Sequence, residues 1–276
     1  MRRSRPLSAL AVALLAALAL AGCGAGDDGA APDAAAATAA ASTAATPATT
    51  VADTTEADAE PEPAGPRARI FVPIGEARAT VILLHGWNDL DPAAYGAWID
   101  HLNETGVAVV FPDYQAGLLS SPASMLAGTE QGIRDGLAEA ERLGATGPVV
   151  AAGYSLGGGL AVVYAAMAAD WGVAAPSAVY AVFPAEPLGL PAELPPVPAD
   201  TTVEMLVGDR DVVVGRGGAD ALAARIAPHP ARITALVSTD AVAYDHFAPK
   251  RDDARAQADF WAPLDRLIDE AAPPAG

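Results

Sequence analysis

The stretch PVVAAGYSLGGG, residues 148–159, joins an apolar run to a glycine-rich segment around one serine. The run at 148–152 predicts a strand that is buried on both faces, and residues 156–169 predict a helix. Between them, the pattern G-x-S-x-G is typical of a strained strand-to-helix turn that exposes a serine at the carboxyl edge of a sheet. Small residues let the strand and the helix approach this turn without side-chain clashes. The stretch therefore predicts a parallel sheet with Ser155 as a candidate nucleophile.

Apolar runs and helical patterns alternate on both sides of this turn. Strands are predicted at residues 68–72, 79–84, 106–111, 148–152, 177–183, 202–207 and 232–237. Helices are predicted at residues 92–104, 122–143, 156–169, 217–226 and 252–270. This alternation predicts a mainly parallel, doubly wound α/β sheet with helices on both faces. The proline-rich interval 184–200 is short, so we expect a rim loop there and an open site.

A serine hydroxyl is a weak nucleophile and needs a base that an acid orients. In folds with this turn, the order along the chain is serine, acid, histidine. Only His229 and His246 follow Ser155. His229 lies between two prolines at the amino end of a predicted strand, which is the wrong edge, and we expect it to be exposed. His246 lies in a loop beyond the last predicted strand, so it is the candidate base.

The acid should follow the predicted strand 202–207. Asp209 and Asp211 both do so, and Asp240, after the last strand, is a more distant candidate. The residues alone leave this choice open.

With these motifs in this order, residues 67–276 resemble a small member of the α/β-hydrolase superfamily, similar to its secreted or lipid-anchored esterase-type members. The resemblance implies an α/β-hydrolase-type sheet without a large cap domain. The family pattern G-x-x-D-x-x-V matches Gly208, Asp211 and Val214. It implies that Asp211 is the acid and that Asp209 is a turn residue.

The oxyanion formed during acyl transfer needs two backbone N–H donors. One is expected from Leu156, the residue after the nucleophile. A His-Gly pair, His85 and Gly86, ends the predicted strand 79–84. In the family such a pair precedes the second donor, which implies the N–H of Trp87. His85 would then shape the loop rather than act as a base. The ring of Trp87 is expected either to line an acyl pocket or to pack at the rim.

Composition excludes several other classes of protein. The net charge of −18 disfavours binding to nucleic acid. The chain has no H-E-x-x-H, no phosphate-binding P-loop and no G-x-G-x-x-G after the first strand, so we expect neither a metal nor a cofactor. Its one cysteine, Cys23, excludes an intramolecular disulfide and a zinc site built on cysteines.

The N-terminal segment predicts export and anchoring. Three arginines precede an apolar run at residues 7–20, which is shorter than the roughly 20 residues of a membrane-spanning helix. The run ends in Leu-Ala-Gly-Cys, which resembles the lipobox of bacterial lipoproteins. The resemblance implies that residues 1–22 are a signal peptide and that a lipidated Cys23 becomes the mature N-terminus. Residues 24–66 contain eight acidic and no basic residues, so we expect a disordered tether at 23–66.

These features predict an extracytoplasmic, membrane-anchored serine hydrolase that cleaves small-molecule or lipid-like carboxylic esters with a Ser-Asp-His triad. The same residues are compatible with thioesterase, acyltransferase, lipase or amidase activity, because the fold hosts many chemistries. The second hypothesis is a non-catalytic lipoprotein that binds a ligand on the same scaffold. Decay of the site would break a triad position, and none is broken in the sequence.

Overall fold

Seven apolar segments form the strands of one sheet in the computed structural model, which describes residues 67–273. The strands are β1 (Ala68–Phe71), β2 (Ala79–Leu84), β3 (Val107–Pro112), β4 (Val149–Tyr154), β5 (Ala178–Val182), β6 (Thr202–Gly208) and β7 (Arg232–Leu236). The predicted signal peptide (1–22), the predicted tether (23–66) and Cys23 lie outside the described residues.

The sheet has the order β1-β3-β2-β4-β5-β6-β7. The edge strand β1 pairs antiparallel with β3, and all other neighbouring strands of the sheet are parallel. Strands β2, β3, β4 and β5 are buried along their whole length, because helices cover both faces. The predicted mainly parallel α/β sheet is confirmed.

The helices connect these strands across the two faces. They are α1 (Gly96–Glu104), α2 (Pro122–Arg142), α3 (Leu156–Met167), α4 (Gly217–Arg225) and α5 (Ala262–Ala271). Helices α2, α3 and α4 pack on one face of the sheet, with strand side chains such as Ile82. Helices α1 and α5 pack on the other, with side chains such as Val81. Within residues 67–273, no helix is both long and apolar enough to cross a membrane.

Two predicted helices begin differently from the expectation. The predicted helix 92–104 starts with a 3-10 turn, Pro92–Tyr95, in which the side chain of Asp91 accepts the backbone N–H of Ala93. The predicted helix 252–270 starts as a short turn, Ala254–Ala256, and widens into a π-helical turn, Gln257–Trp261, before α5. Pro263 lies at the start of α5, and its ring and missing N–H account for the wider turn before it.

The interval between β5 and β6 contains turns but no helix, which agrees with the expected absence of a large cap domain. The backbone N–H of Ala185 in this interval donates to the carbonyl of Ser155 at 2.9 Å. The interval therefore lies directly against the turn that holds the serine.

Candidate active site

The turn between β4 and α3 consists of a single residue, Ser155. Its φ of 55° is positive, which is strained for a residue with a side chain. A Cβ atom on Gly153 would lie 2.2 Å from the carbonyl oxygen of Gly157, and one on Gly157 would lie 2.0 Å from that of Leu84. The backbone N–H of Ser155 donates to the carbonyl of Val182 on β5. The glycines are thus required by the close approach of strand and helix.

Three side chains from separate loops meet at this turn. The Oγ atom of Ser155 lies 3.0 Å from Nε2 of His246. Nδ1 of His246 lies 2.9 Å from Oδ2 of Asp211. All three residues are more than nine-tenths buried. With the Nδ1–H of the neutral imidazole donated to Asp211, Nε2 is the acceptor for the serine proton.

The carboxylate of Asp211 is held on both oxygens. Its Oδ1 accepts the backbone N–H groups of Val213 and Val214 at 2.9 and 3.0 Å. Burial raises the pKa of Asp211, but the hydrogen bond and charge of His246 and the two N–H donors outweigh burial, so the net pKa is lowered. Asp211 is therefore an ionised carboxylate next to the imidazole.

The other two aspartates of the sequence analysis lie elsewhere. Asp209 accepts hydrogen bonds from the backbone N–H and the hydroxyl of Ser238, just beyond β7, which fits the turn residue that the family pattern implies. Asp240 is exposed. Of the three candidates, the structure places Asp211 against His246.

The second histidine, His229, lies at the opposite edge of the sheet, as its position between two prolines predicted. Its Nε2 is 2.9 Å from the carbonyl oxygen of Thr201, the residue that precedes β6. His229 is half-buried rather than exposed because of this contact.

The loop after β2 is fixed by aromatic stacking. His85 is completely buried and stacks on the ring of Tyr114, with ring centroids 4.1 Å apart. The hydroxyl of Tyr114 donates to the carbonyl of His85 at 2.6 Å. Burial lowers the pKa of His85, so its imidazole is neutral. His85 therefore shapes the loop, as the family resemblance implied.

Trp87 and Leu156 were the predicted oxyanion donors. In the part of the chain that the structure describes, neither backbone N–H donates to a protein acceptor, whereas Gly86, Asn88 and Asp89 around Trp87 all donate. Trp87 is half-buried and packs against the core cluster that contains Leu156. Neither N–H group is therefore committed to a protein acceptor in that part of the chain, and their role in catalysis stays a prediction.

Sequence reasoning missed the contribution of Tyr154, the residue between Gly153 and Ser155. Its hydroxyl donates to the carbonyl of His246 at 2.8 Å, and the two rings lie 5.2 Å apart. Burial raises the pKa of Tyr154 well above its ordinary value, so the hydroxyl remains a donor. An aromatic residue with a polar tip inside the motif was the available indication.

Acidic side chains also surround the loop after β2. Asp91 caps the first 3-10 turn, and Asp113 pairs with Arg69 at 2.5 Å. Asp89 accepts hydrogen bonds from Tyr95 and from Lys250, at 3.1 and 2.6 Å.

Within residues 67–273, no three His, Cys, Asp or Glu side chains are grouped as a metal site.

Known proteins resemble this chain in structure but not detectably in sequence. No protein-family model matches the chain, and no curated protein matches it by sequence. An α/β serine hydrolase homologue from Coxiella burnetii is 17% identical, with a TM-score of 0.51, over 74% of this chain and 91% of that one. Esterase 2 from Thermogutta terrifontis, phosphorylated by paraoxon, is 20% identical, with a TM-score of 0.57, over 76% and 90% of the two chains.

The same esterase with bound butyrate is 17% identical, with a TM-score of 0.57, over 76% of this chain and 91% of that one. These likenesses, together with the order of strands, show that residues 67–273 have the α/β-hydrolase fold.

Proposed function

We propose that this chain is a serine hydrolase that cleaves carboxylic esters through an acyl-enzyme. The observation that carries the proposal is the contact of 3.0 Å between Oγ of Ser155 and Nε2 of His246, with Asp211 on the other ring nitrogen. This arrangement of nucleophile, base and acid is the one that acyl transfer requires. It lies at the strained turn where α/β-hydrolases place their nucleophile.

The first half of the proposed reaction forms the acyl-enzyme. As Oγ of Ser155 attacks the ester carbon, Nε2 of His246 takes its proton and Asp211 stabilises the imidazolium. The carbonyl oxygen becomes an oxyanion, which accepts the free N–H groups of Leu156 and Trp87. When the tetrahedral intermediate collapses, the carbon–oxygen bond to the alcohol breaks. His246 protonates the leaving alkoxide, and the acyl group stays on Ser155.

The second half of the proposed reaction releases the carboxylic acid product. His246 takes a proton from water, the hydroxide oxygen attacks the acyl carbon, and the same N–H groups hold the second oxyanion. The bond to Oγ then breaks, His246 returns the proton to Ser155, and the carboxylic acid departs. Apart from the ester and the attacking water, every group that this cycle uses is a residue of the chain.

Esters are proposed as the substrate class because of the names of the structural neighbours. The Thermogutta protein is named an esterase, and one of its structures contains butyrate. The alternative of a decayed binding scaffold is disfavoured because the three side chains are connected by hydrogen bonds and Asp211 is ionised.

A covalent probe tests the proposal directly. We expect a fluorophosphonate to phosphonylate Oγ of Ser155 in the wild type and p-nitrophenyl esters of graded chain length to be hydrolysed. Ser155→Ala should abolish both, whereas Ser124→Ala, an exposed serine at the start of α2, should leave both unchanged. Labelling that persists in Ser155→Ala, or a wild type that is not labelled, would overturn the proposal.

We also propose that the N-terminus anchors the domain to the outer face of a membrane. The support is the lipobox-like sequence that ends at Cys23, the only cysteine of the chain. In bacterial lipoproteins such a cysteine bears several acyl chains, which hold a protein at a bilayer more firmly than one chain does.

A further inference from the structure

Lys250 is the only lysine in the chain, and it lies four residues after the candidate base. It ends a 3-10 turn, Ala248–Lys250, in the loop that contains His246. Its Nζ donates to Oδ1 of Asp89 at 2.6 Å, across 161 positions of sequence. Asp89 is the second residue after Trp87, so this ion pair joins the base loop to the loop of the predicted oxyanion donor.

Asp89 is connected in turn to the backbone beside Trp87. The hydroxyl of Tyr95 donates to Oδ2 of Asp89 at 3.1 Å and accepts the backbone N–H of Gly86 at 2.9 Å. Tyr95 is 6% exposed. The side chains of Lys250 and Asp89 are 29% and 18% exposed, so water screens their interaction only in part. A displacement of Asp89 would therefore be transmitted to the peptide units around Trp87.

Tyr154 lies between the two loops. The Nζ atom of Lys250 is 5.7 Å from the centroid of its ring, close enough for a cation–π interaction. Its hydroxyl binds the carbonyl of His246. A Cβ atom on Gly86 would lie 2.8 Å from Cδ1 of Tyr154, so the ring is also in close contact with the loop after β2. The residue next to Ser155 thus touches both loops.

We infer that Lys250, Asp89 and Tyr154 form a bridge that sets the position of the Trp87 N–H relative to Ser155 and His246, and that they are positioning residues for catalysis. The inference rests on the proposed hydrolase function. An oxyanion donor is effective only when it is held within about 0.5 Å of its productive position. Removal of Lys250 leaves the carboxylate of Asp89 without its cation in a partly buried place, which favours movement of the loop.

Kinetics of matched variants test this role. Lys250→Met and Asp89→Asn should each lower kcat by about 10- to 100-fold on p-nitrophenyl butyrate, with KM within about twofold of wild type. Each should weaken binding of a trifluoromethyl ketone, which forms a tetrahedral adduct on serine, by about the same factor as kcat/KM. Because the two residues act through one contact, the double variant should lose no more than the worse single variant.

The control variant is Arg142→Met, which removes another ion pair, with Glu139, at the end of α2. It should change neither kcat nor the ketone affinity. A bridge that only stabilises the fold would lower the unfolding free energy and leave kcat and the ketone affinity of the folded enzyme at wild-type values. That result, or a change confined to KM, would overturn the inference.

Hydrogen exchange tests the bridge independently of activity. In Lys250→Met, the amides of Gly86, Asn88 and Asp89 should exchange about tenfold faster than in the wild type, and in Arg142→Met at the wild-type rate. Unchanged exchange in Lys250→Met would show that the bridge does not hold the loop, and would overturn the inference. If the wild type neither hydrolyses esters nor reacts with the fluorophosphonate, the proposed function and the catalytic role of the bridge both fail. The exchange rates still decide whether the bridge exists.

Discussion

At the scale of single residues, two aspartates two positions apart have different partners. Asp211 faces His246, whereas Asp209 binds Ser238. We expect Asp211→Asn to lower kcat by about 10⁴-fold, because the amide favours the wrong imidazole tautomer. Asp209→Asn should change kcat by less than about threefold, because it leaves the triad contacts in place. Steady-state kinetics on one p-nitrophenyl ester would check this, and the reverse ranking would assign the acid to Asp209.

The lowered pKa of Asp211 also links stability to pH. In the unfolded chain this carboxyl titrates near pH 3.9, and in the folded chain at a lower pH, so the unfolded state binds more protons in between. The contribution of Asp211 to stability is therefore present above about pH 4 and is lost as the pH falls through the folded pKa. We expect the difference in unfolding free energy between wild type and Asp211→Asn to shrink from about pH 5 to about pH 3. Urea unfolding at both pH values would measure it, and a constant difference would contradict the linkage.

At the scale of elements, the crossing of β2 and α3 depends on Gly157. A Cβ there would lie 2.0 Å from the carbonyl oxygen of Leu84, whereas one on Gly96 at the start of α1 would meet nothing within 4 Å. Gly157→Ala should therefore lower the unfolding free energy by about 3 kcal/mol or more. Gly96→Ala should raise it by up to about 1 kcal/mol, through helix propensity. Urea unfolding of both variants checks the contrast, and equal effects would mean that the crossing tolerates a methyl group.

The positions of the elements were largely predictable because buried parallel strands are continuous apolar runs. The antiparallel direction of β1 was not predictable, because the four residues Ala68–Phe71 do not specify which way an edge strand runs. The π-helical turn at Gln257–Trp261 was also missed, because its helical periodicity continues through Pro263.

The candidate site could be predicted to the level of strand ends. The carboxyl ends of parallel strands share one edge, so the loops with Ser155, Asp211 and His246 had to approach one another. The family pattern implied Asp211 rather than Asp209, and the contact of Asp211 with His246 is visible only in the folded structure. The pairing of Asp89 with Lys250 had no sequence signal, because no periodicity relates residues 161 positions apart.

At the scale of the whole molecule, the proposed anchor predicts where the protein is found. We expect Cys23 to be acylated as the mature N-terminus and the wild type to sediment with membranes. Cys23→Ser should remain unlipidated. Mass spectrometry of the mature N-terminus decides the matter. An unmodified Cys23, or cleavage at another bond, would contradict the anchor and leave the hydrolase proposal standing.

The rarity of lysine leaves one side chain of the molecule that amine chemistry can modify. Of its 16 basic residues only Lys250 is a lysine, so Lys250 and the N-terminal amine are the only primary amines that the sequence offers to an amine-reactive dye, crosslinker or support. A reagent that acylates Lys250 removes its charge and its contact with Asp89. Immobilisation through the Lys250 amine would thus attach the protein in one orientation, with its linker at the loop that contains His246. A support that reacts with another functional group would be needed to preserve the proposed hydrolase activity.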